Sequence, residues 1–412
     1  MRQKAGDLSR LKVAFLFLLV SVIAFGFLNS PGTGDVGIQM EWNQTVETKG
    51  IIEGFRANND SVYPPYPPLN AVMFYYLGRL SRLSGVDAAT GFKISCFSFL
   101  ILSTAIFFLW TRNGILAVIF ELSLVLSSTA HGYTDIHLTP TLLLSLWALQ
   151  EKRWVSFTLL FAVSCLIKWQ PLIIAPVLLI HVLDIQRWRD WRNVDFKGIG
   201  LRIVLPAVSV FLLVLSIFGT AVITSLDKAM HHNWFSANAL NFNWIITYIL
   251  KVFRPWHFGE LSDGLIKWIR TGDMRIVLGA KILFISSYLM ASWLFFRRPK
   301  TFSNLLLFSL LGYLSYFMFN TGVHENHLYF AVLFSALLVA QDRGFLPDFV
   351  FWSIAANANL YFFYGTGGLG VPFNRVAFID ITILLAFLNL FYYFMLFIKT
   401  WKLPFEQTAE PL

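Results

Sequence analysis

Apolar runs of roughly membrane length alternate along this chain with short, mostly basic turns. The runs cover residues 11–28, 94–110, 115–129, 138–149, 155–167, 172–183, 203–223, 276–296, 302–319, 328–340, 349–364 and 376–397. A membrane-spanning helix needs roughly 20 predominantly apolar residues, so the pattern predicts about twelve spans. The expected fold is an all-α integral membrane protein, a polytopic helical bundle in a single domain over residues 1–412.

Two long polar stretches interrupt the pattern, at 29–92 and 224–275. The first carries Asp35, Glu41, Glu47, Glu53 and Asp60, then closes on Pro64-Pro65 and Pro67-Pro68. Proline fixes φ and removes a backbone donor, so the segment from Tyr63 to Leu69 is expected to be stiff and extended. Residues 70–83 are amphipathic and end in Arg79 and Arg82, which fits a helix lying in the membrane interface. Within the second stretch, residues 244–253 are half apolar and read as interfacial or re-entrant.

Charge sets the expected orientation. Arg2, Lys4, Arg10 and Lys12 precede the first run, and further basic clusters stand at 186–202, 297–300 and 399–402. Basic loops stay in the cytosol, which puts the acidic first loop on the opposite face. The N-terminus resembles a signal peptide with no cleavage motif, and reads as an uncleaved anchor.

Composition agrees with that class and excludes others. The chain is 57% hydrophobic and 13% charged, about half the charge of a soluble domain, and its mean hydropathy is +0.63. The net charge of +9 is divided among the turns, so no nucleic-acid partner is expected. Cys96 and Cys165 both lie inside apolar runs, which argues against a disulfide framework or a thiolate metal site.

The candidate chemistry collects at one face. Histidines 131, 137, 231, 232, 257, 324 and 327 fall in or beside the outer segments, with Asp35, Asp135, Lys168, Arg254, Glu325 and Arg375. His324-Glu325-Asn326-His327 spaces its histidines three apart, so it is not the H-E-x-x-H zinc motif. No cofactor is expected; a divalent ion is not indicated by ligand spacing. Asp135 is either a site carboxylate or a solvated turn residue. Lys168 is either a snorkelling lysine or an ammonium at the membrane rim, placed to receive a lipid phosphate. Residues 236–244, with Asn238, have a composition suited to sugar hydroxyls and ring faces, as would a surface loop.

The first loop resembles that of the C-type (GT-C) membrane glycosyltransferases that use polyprenyl-phosphate sugars. It is most similar to the dolichyl-phosphate-glucose glucosyltransferases and their bacterial relatives. Gly34-Asp35 with Gln39 and Trp42 matches their G-D-x-x-x-Q-x-x-W pattern, and Tyr66-Pro67-Pro68-Leu69 their Y-P-P-L. Val323-His324-Glu325-Asn326 resembles V-H-E-K, with Asn326 in place of the lysine. Lys168-Trp169-Gln170-Pro171 is similar to a K-Q turn, and Ala237-Asn238 to Trp244 to an A-N-x-W-like segment. His137 stands in TDIHLTP rather than H-x-H-F-Q-Y-N, so the resemblance specifies neither donor sugar nor acceptor.

The resemblance implies an inverting hexosyltransferase whose first outer loop carries interfacial helices. Its donor would be a polyprenyl-phosphate sugar in the bilayer and its acceptor a hydroxyl on a glycan or glycolipid. Asp35 would be the catalytic base. Lys168, His324, Arg254, Arg375 and Glu325 would serve the donor phosphate, with Asp135, Gln39, Trp42, Tyr66 and Asn238 around the donor. The rival class is a transporter or lipid-linked-glycan flippase. Such proteins carry ionisable groups and broken helices near the bilayer midplane, and here the doubtful mid-span cases are Glu121 and His181.

Overall fold

A computed structural model describes residues 2–61, 66–186, 188–231, 234–262, 266–270, 272–371, 375–376 and 379–402. The helices run α1 (Arg2–Gly26), α2 (Gly34–Lys49), α3 (Ile51–Asn59), α4 (Pro68–Ser84), α5 (Ala88–Thr111), α6 (Gly114–Val125), α7 (Asp135–Gln150), α8 (Trp154–Ile167) and α9 (Ala175–Leu183). They continue with α10 (Phe196–Ile199), α11 (Leu205–Phe218), α12 (Ala221–Met230), α13 (Phe242–Phe253), α14 (Pro255–Phe258), α15 (Met274–Phe296), α16 (Phe302–Phe319), α17 (Tyr329–Gln341), α18 (Leu346–Tyr364) and α19 (Ile381–Trp401). Two-stranded ribbons join β1 (Trp234–Ser236) to β2 (Ile269–Arg270) and β3 (Arg375–Val376) to β4 (Ile379–Asp380), both antiparallel. The ribbons are a small departure from the all-α expectation.

Every segment expected to cross the membrane carries helix, and among the described residues five helical runs are long and apolar enough to do so: Ala88–Thr111, Phe196–Phe218, Met274–Phe296, Phe302–Phe319 and Ile381–Trp401. Their surroundings differ. Phe302–Phe319 is buried along 78% of its apolar window, whereas Phe196–Phe218 is buried along 11%. The first is a core helix; the second keeps an apolar surface that suits lipid contact.

Three expected boundaries shift. The run 203–223 is not one helix: α11 ends at Phe218, Gly219 takes φ +69°, and α12 begins at Ala221. The run 376–397 starts in a strand, and its helix begins at Ile381 behind Asp380, whose carboxylate accepts from the Thr382 N–H at 2.9 Å. The polar stretch after α1 is largely helical. Val36, Gln39, Trp42, Asn43 and Val46 make a buried stripe at helical spacing along α2, which outweighs the loop-like composition. The expected Pro64-Pro65 hinge lies outside the described residues, while Pro67 and Pro68 form the N-terminus of α4.

The chain divides into two compact units. The first comprises Met1–Pro171, Lys197–Met230 and Tyr364–Gly370. There α2, α3 and α4 join α8, α11 and α12 around Val46, Phe55, Ala71, Leu166, Val214, Phe218 and Val222. Phe55 is 1% exposed; burying such a side chain out of water contributes about 1.5–3 kcal/mol. The polar stretch is thus held as a fixed cap on its helices.

The second unit comprises Leu172–Phe196, His231–Phe363 and Val371–Leu412. Its cores include Leu240, Trp244, Ile245, Ile266, Ile383 and Ala386, and a smaller cluster of Phe235, Ile269 and Ala280.

Candidate active site

Two helix N-termini and one helix C-terminus converge in the first unit. Asp35 is the second residue of α2 and Asp135 the first of α7, while Lys168 caps the C-terminus of α8. Helix dipoles favour acids at N-termini and cations at C-termini, so all three charges stand where the backbone field suits them.

Close backbone approach brings α2 to the turn before α7. The Thr33 N–H donates to the His131 carbonyl at 3.1 Å. Gly32 and Gly132 both take φ +75°, and a Cβ on either would stand 2.6 or 2.7 Å from Cγ2 of Val36. Both positions need glycine for conformation and for space.

Behind this contact sits Lys93 of α5, 1% exposed. Its ammonium donates to the Ser30 carbonyl and hydroxyl at 2.5 Å each, to the Ala130 carbonyl at 2.8 Å and to the Phe27 carbonyl at 3.4 Å. It therefore ties the end of α1, which leads to Asp35, to the end of the π-helical turn Leu126–Ala130, which leads to Asp135. Sequence reasoning passed over Lys93. Its one signal was a lysine beside an apolar run.

Lys168 Nζ lies 2.8 Å from Oδ1 of Asp135, and both side chains are buried, at 3% and 1% exposure. The open ammonium at the membrane rim is therefore corrected, as is the solvated Asp135: each charge answers the other. The same ammonium stands 5.2 Å from the centre of the Tyr66 ring, and Trp42 meets Tyr66 edge-on at 5.4 Å. Burial works against the Lys168 ammonium, but Asp135, Tyr66 and Asp35 outweigh it and hold its pKa above the ordinary lysine value.

Asp35 differs from its neighbours. It is half-buried, and protein crowds its carboxyl. Burial pushes its pKa above the ordinary carboxylate value; Lys168 opposes this and Asp135 adds to it. The opposite charges of the Asp135–Lys168 pair act in opposite directions on Asp35, and burial is the largest influence. Burial also raises the Tyr66 phenol.

One turn along α2 lies Gln39, 1% exposed. Neither its oxygen nor its nitrogen meets a hydrogen-bond partner among the described residues. A buried amide left unpaired costs about 1–3 kcal/mol. Asp35, Gln39 and Trp42 follow at i, i+4 and i+7, so they share one helix face. That face holds a raised carboxyl, an unspent amide and an aromatic ring leading to Tyr66.

The histidines do not form one polar group. His131 and His137 are both buried, and His137 belongs to helix α7 rather than to a turn. His131 meets the Gly365 carbonyl at 2.8 Å, and His137 the Ser95 hydroxyl at 2.8 Å. Burial holds His131 down to about 4, against the pull of the Gly365 carbonyl and with help from Lys93. His231 is exposed and His232 lies outside the described residues. No group of three or more His, Cys, Asp or Glu residues among the described residues is arranged to hold a metal.

The remaining candidates belong to the second unit. His324 bridges to Ala237 and leads a 3-10 turn, Glu325–Leu328, in which Glu325, Asn326 and His327 are buried. Asn359 ties this turn to the 236–244 segment: its amide nitrogen donates to the Asn238 carbonyl at 3.1 Å and the Glu325 carbonyl at 3.2 Å, and its oxygen accepts from the Leu240 N–H at 2.7 Å. The expected sugar platform is corrected here. Asn241 and Asn243 donate to the Phe317, Phe319 and Asn320 carbonyls, and Trp244 is fully buried with its indole N–H on Thr382. The two asparagines hold backbone and the indole holds a side chain of the same unit. Asn238 takes a left-handed φ of +57°. Arg254 is exposed at the end of α13. Arg375 pairs opposite Asp380, and its side chain lies outside the described residues. Comparison with known proteins finds no matching family model and no similar curated protein.

Proposed function

We propose that this chain is an inverting glycosyltransferase that moves a hexose from a polyprenyl-phosphate donor to a hydroxyl acceptor at the non-cytosolic membrane face. The proposed architecture is a GT-C-like bundle of about twelve spans. The observation that carries the reading is Asp35: a half-buried carboxyl with a raised pKa, beside a buried and self-neutralised Asp135–Lys168 pair. A general base works best with its pKa brought towards the operating pH, and contributes typically ~10²–10⁴-fold.

In the proposed step the acceptor hydroxyl gives its proton to the Asp35 carboxylate as its oxygen attacks the anomeric carbon. The bond from that carbon to the phosphate oxygen breaks, and the polyprenyl phosphate leaves with the electron pair. Gln39 and Trp42, on the same helix face, supply an unpaired amide and a ring edge for the sugar. Lys168 acts chiefly through Asp135, as part of the field around Asp35. His324, Glu325, Asn238, Arg254 and Arg375 are kept as candidates for donor contact, and the leaving phosphate calls for cations among them.

The test is transfer by purified protein from a panel of labelled polyprenyl-phosphate hexoses, with Asp35→Asn beside it. Product from at least one lipid donor, lost in Asp35→Asn, is the expected result. Transfer from a sugar nucleotide without lipid carrier, or an Asp35→Asn variant as fast as the parent, would overturn the proposal.

One observation favours the transporter reading. Glu121 of α6 is fully buried, accepts from the Ser21 hydroxyl at 2.9 Å, and has a second oxygen with no hydrogen-bond partner among the described residues. Carboxyls inside membrane helices often mark transport paths. Proton or solute flux in proteoliposomes, abolished by Glu121→Gln, would favour that class.

A further inference from the structure

Helix α13 buries Trp244 and Ile245 but also turns a polar stripe inward and leaves apolar side chains of its second half outward. Its polar side chains Asn243, Thr247 and Lys251 are at most 6% exposed, while Ile249, Val252 and Phe253 are 41%, 44% and 71% exposed. Each inward polar group is bonded within the second unit. Asn243 donates to the Phe319 and Asn320 carbonyls, Thr247 meets the Ser236 hydroxyl at 2.6 Å, and Lys251 donates to the Phe258 carbonyl at 3.0 Å. A helix facing water shows the opposite arrangement. Apolar groups turned outward and polar groups turned inward onto protein partners belong to a helix whose surroundings are hydrocarbon.

Length and neighbours narrow this further. Twelve residues make about 18 Å of helix, short of the ~30 Å hydrocarbon core, so α13 does not cross. Its end turns back through α14, which the Lys251–Phe258 bond closes against α13 and which leaves Trp256 82% exposed. Ile246, Leu250, Phe258 and Ile276 pack against the Phe235–Ile269–Ala280 cluster, so α13, α14, β2 and α15 share one small core. Helix α15 is itself long and apolar enough to span, and Met274 at its start is 72% exposed. The apolar surface of α13 and α14 is therefore continuous with the end of a membrane helix. Arg254, Lys267, Arg270 and Arg275 stand exposed around it, with Glu260 and Asp273 the acids among the described residues 249–276.

We propose that the second half of α13 and the α14 turn form an interfacial anchor that dips into one leaflet and takes anionic phospholipid as its ligand. Phe253 and Trp256 enter the boundary between headgroups and acyl chains, where aromatic side chains concentrate. Arg254 and Arg275 meet headgroup phosphates, as basic residues beside an inserted apolar face do. The anchor is independent of the transferase reading.

The test uses full-length protein with Cys96 and Cys165 replaced by Ala. Single cysteines at 253, 256 or 152 carry an environment-sensitive fluorophore, and the protein is reconstituted in nanodiscs of phosphatidylcholine with or without phosphatidylglycerol. Position 152, in an exposed turn after α7, reports water. The expected result is blue-shifted emission at 253 and 256, with quenching by doxyl-labelled lipid at least ~2-fold above that at 152. Phosphatidylglycerol should increase the quenching, and Arg254→Glu with Arg275→Glu should remove the increase. Labels at both 253 and 256 that match 152 would overturn the anchor. An equal response with and without phosphatidylglycerol would overturn anionic lipid as its ligand. Two label positions keep the test decisive if one substitution impairs folding.

Discussion

The polar residues of the Asp35 face and those of the Glu325 turn come from equally conspicuous stretches of sequence, but they are used differently. In the second unit, Asn359 satisfies one N–H and two carbonyls, and Asn241 and Asn243 bond the backbone at the end of α16. Apart from the Asn243 oxygen, which is buried without a partner among the described residues, their hydrogen-bonding capacity is spent on the chain itself. In the first unit, Gln39 is buried with its amide unspent and Asp35 holds a raised carboxyl. Polar groups that complete the protein mark structure; buried polar groups left incomplete mark a place for something else.

Substitutions can break this contrast. Asp35→Asn keeps shape and removes the proton acceptor, so turnover should fall ~10²–10⁴-fold with folding intact; steady-state transfer kinetics check it, and a wild-type rate ends the assignment. Lys168→Met takes the cation from the buried Asp135 carboxylate, at a cost of about 3–5 kcal/mol. Thermal unfolding should show that loss, and adding Asp135→Asn should recover much of it without restoring activity. Asn359→Ala strands buried backbone groups and should cost about 1–3 kcal/mol in stability, with transfer by the surviving folded fraction close to normal.

Gln39→Leu sharpens the comparison from the other side. Removing an amide that bonds nothing should relieve its desolvation cost and raise stability, by up to about 1–3 kcal/mol, while kcat/KM falls ~10-fold. A stability loss as large as that of Asn359→Ala would make Gln39 structural. The smallest effect concerns pH. The folded-state pKa of Asp35 is raised, so burial of its charge destabilises the fold as pH rises through that value and costs nothing below the unfolded-state value. Asp35→Asn should therefore raise Tm relative to the parent at neutral pH, and the difference should vanish below about pH 4, near the ordinary carboxyl value.

The helices were legible because their signal is local. Runs of apolar residues between basic turns locate them, and each expected span carries helix. The first polar stretch looked like a loop because half of its surface faces away from protein; its helical stripe of Val36, Gln39, Trp42 and Val46 mixes polar with apolar residues and escapes a purely hydrophobic reading. Asp35, Asp135 and Lys168 stand out in the sequence as charges at the ends of apolar runs. Their pairing was not legible, because Lys168 meets Asp135 across 33 residues through the α7–α8 hairpin. The asparagines around 241 misled for the same reason, since the carbonyls they bind are about 76 positions away.

Lys93 has a consequence for how the chain is made. Its ammonium binds carbonyls on both sides of it in sequence: Phe27 and Ser30 are synthesised first, and Ala130 follows 37 residues later. When α5 emerges, the first half of this knot can form, while the last partner still lies ahead. A lysine at the head of an apolar helix is costly in a bilayer without its acceptors, so α5 gains a settled position once α6 and its π turn have followed. One buried ammonium thus couples the turns leading to Asp35 and Asp135, so neither can shift without disturbing the other.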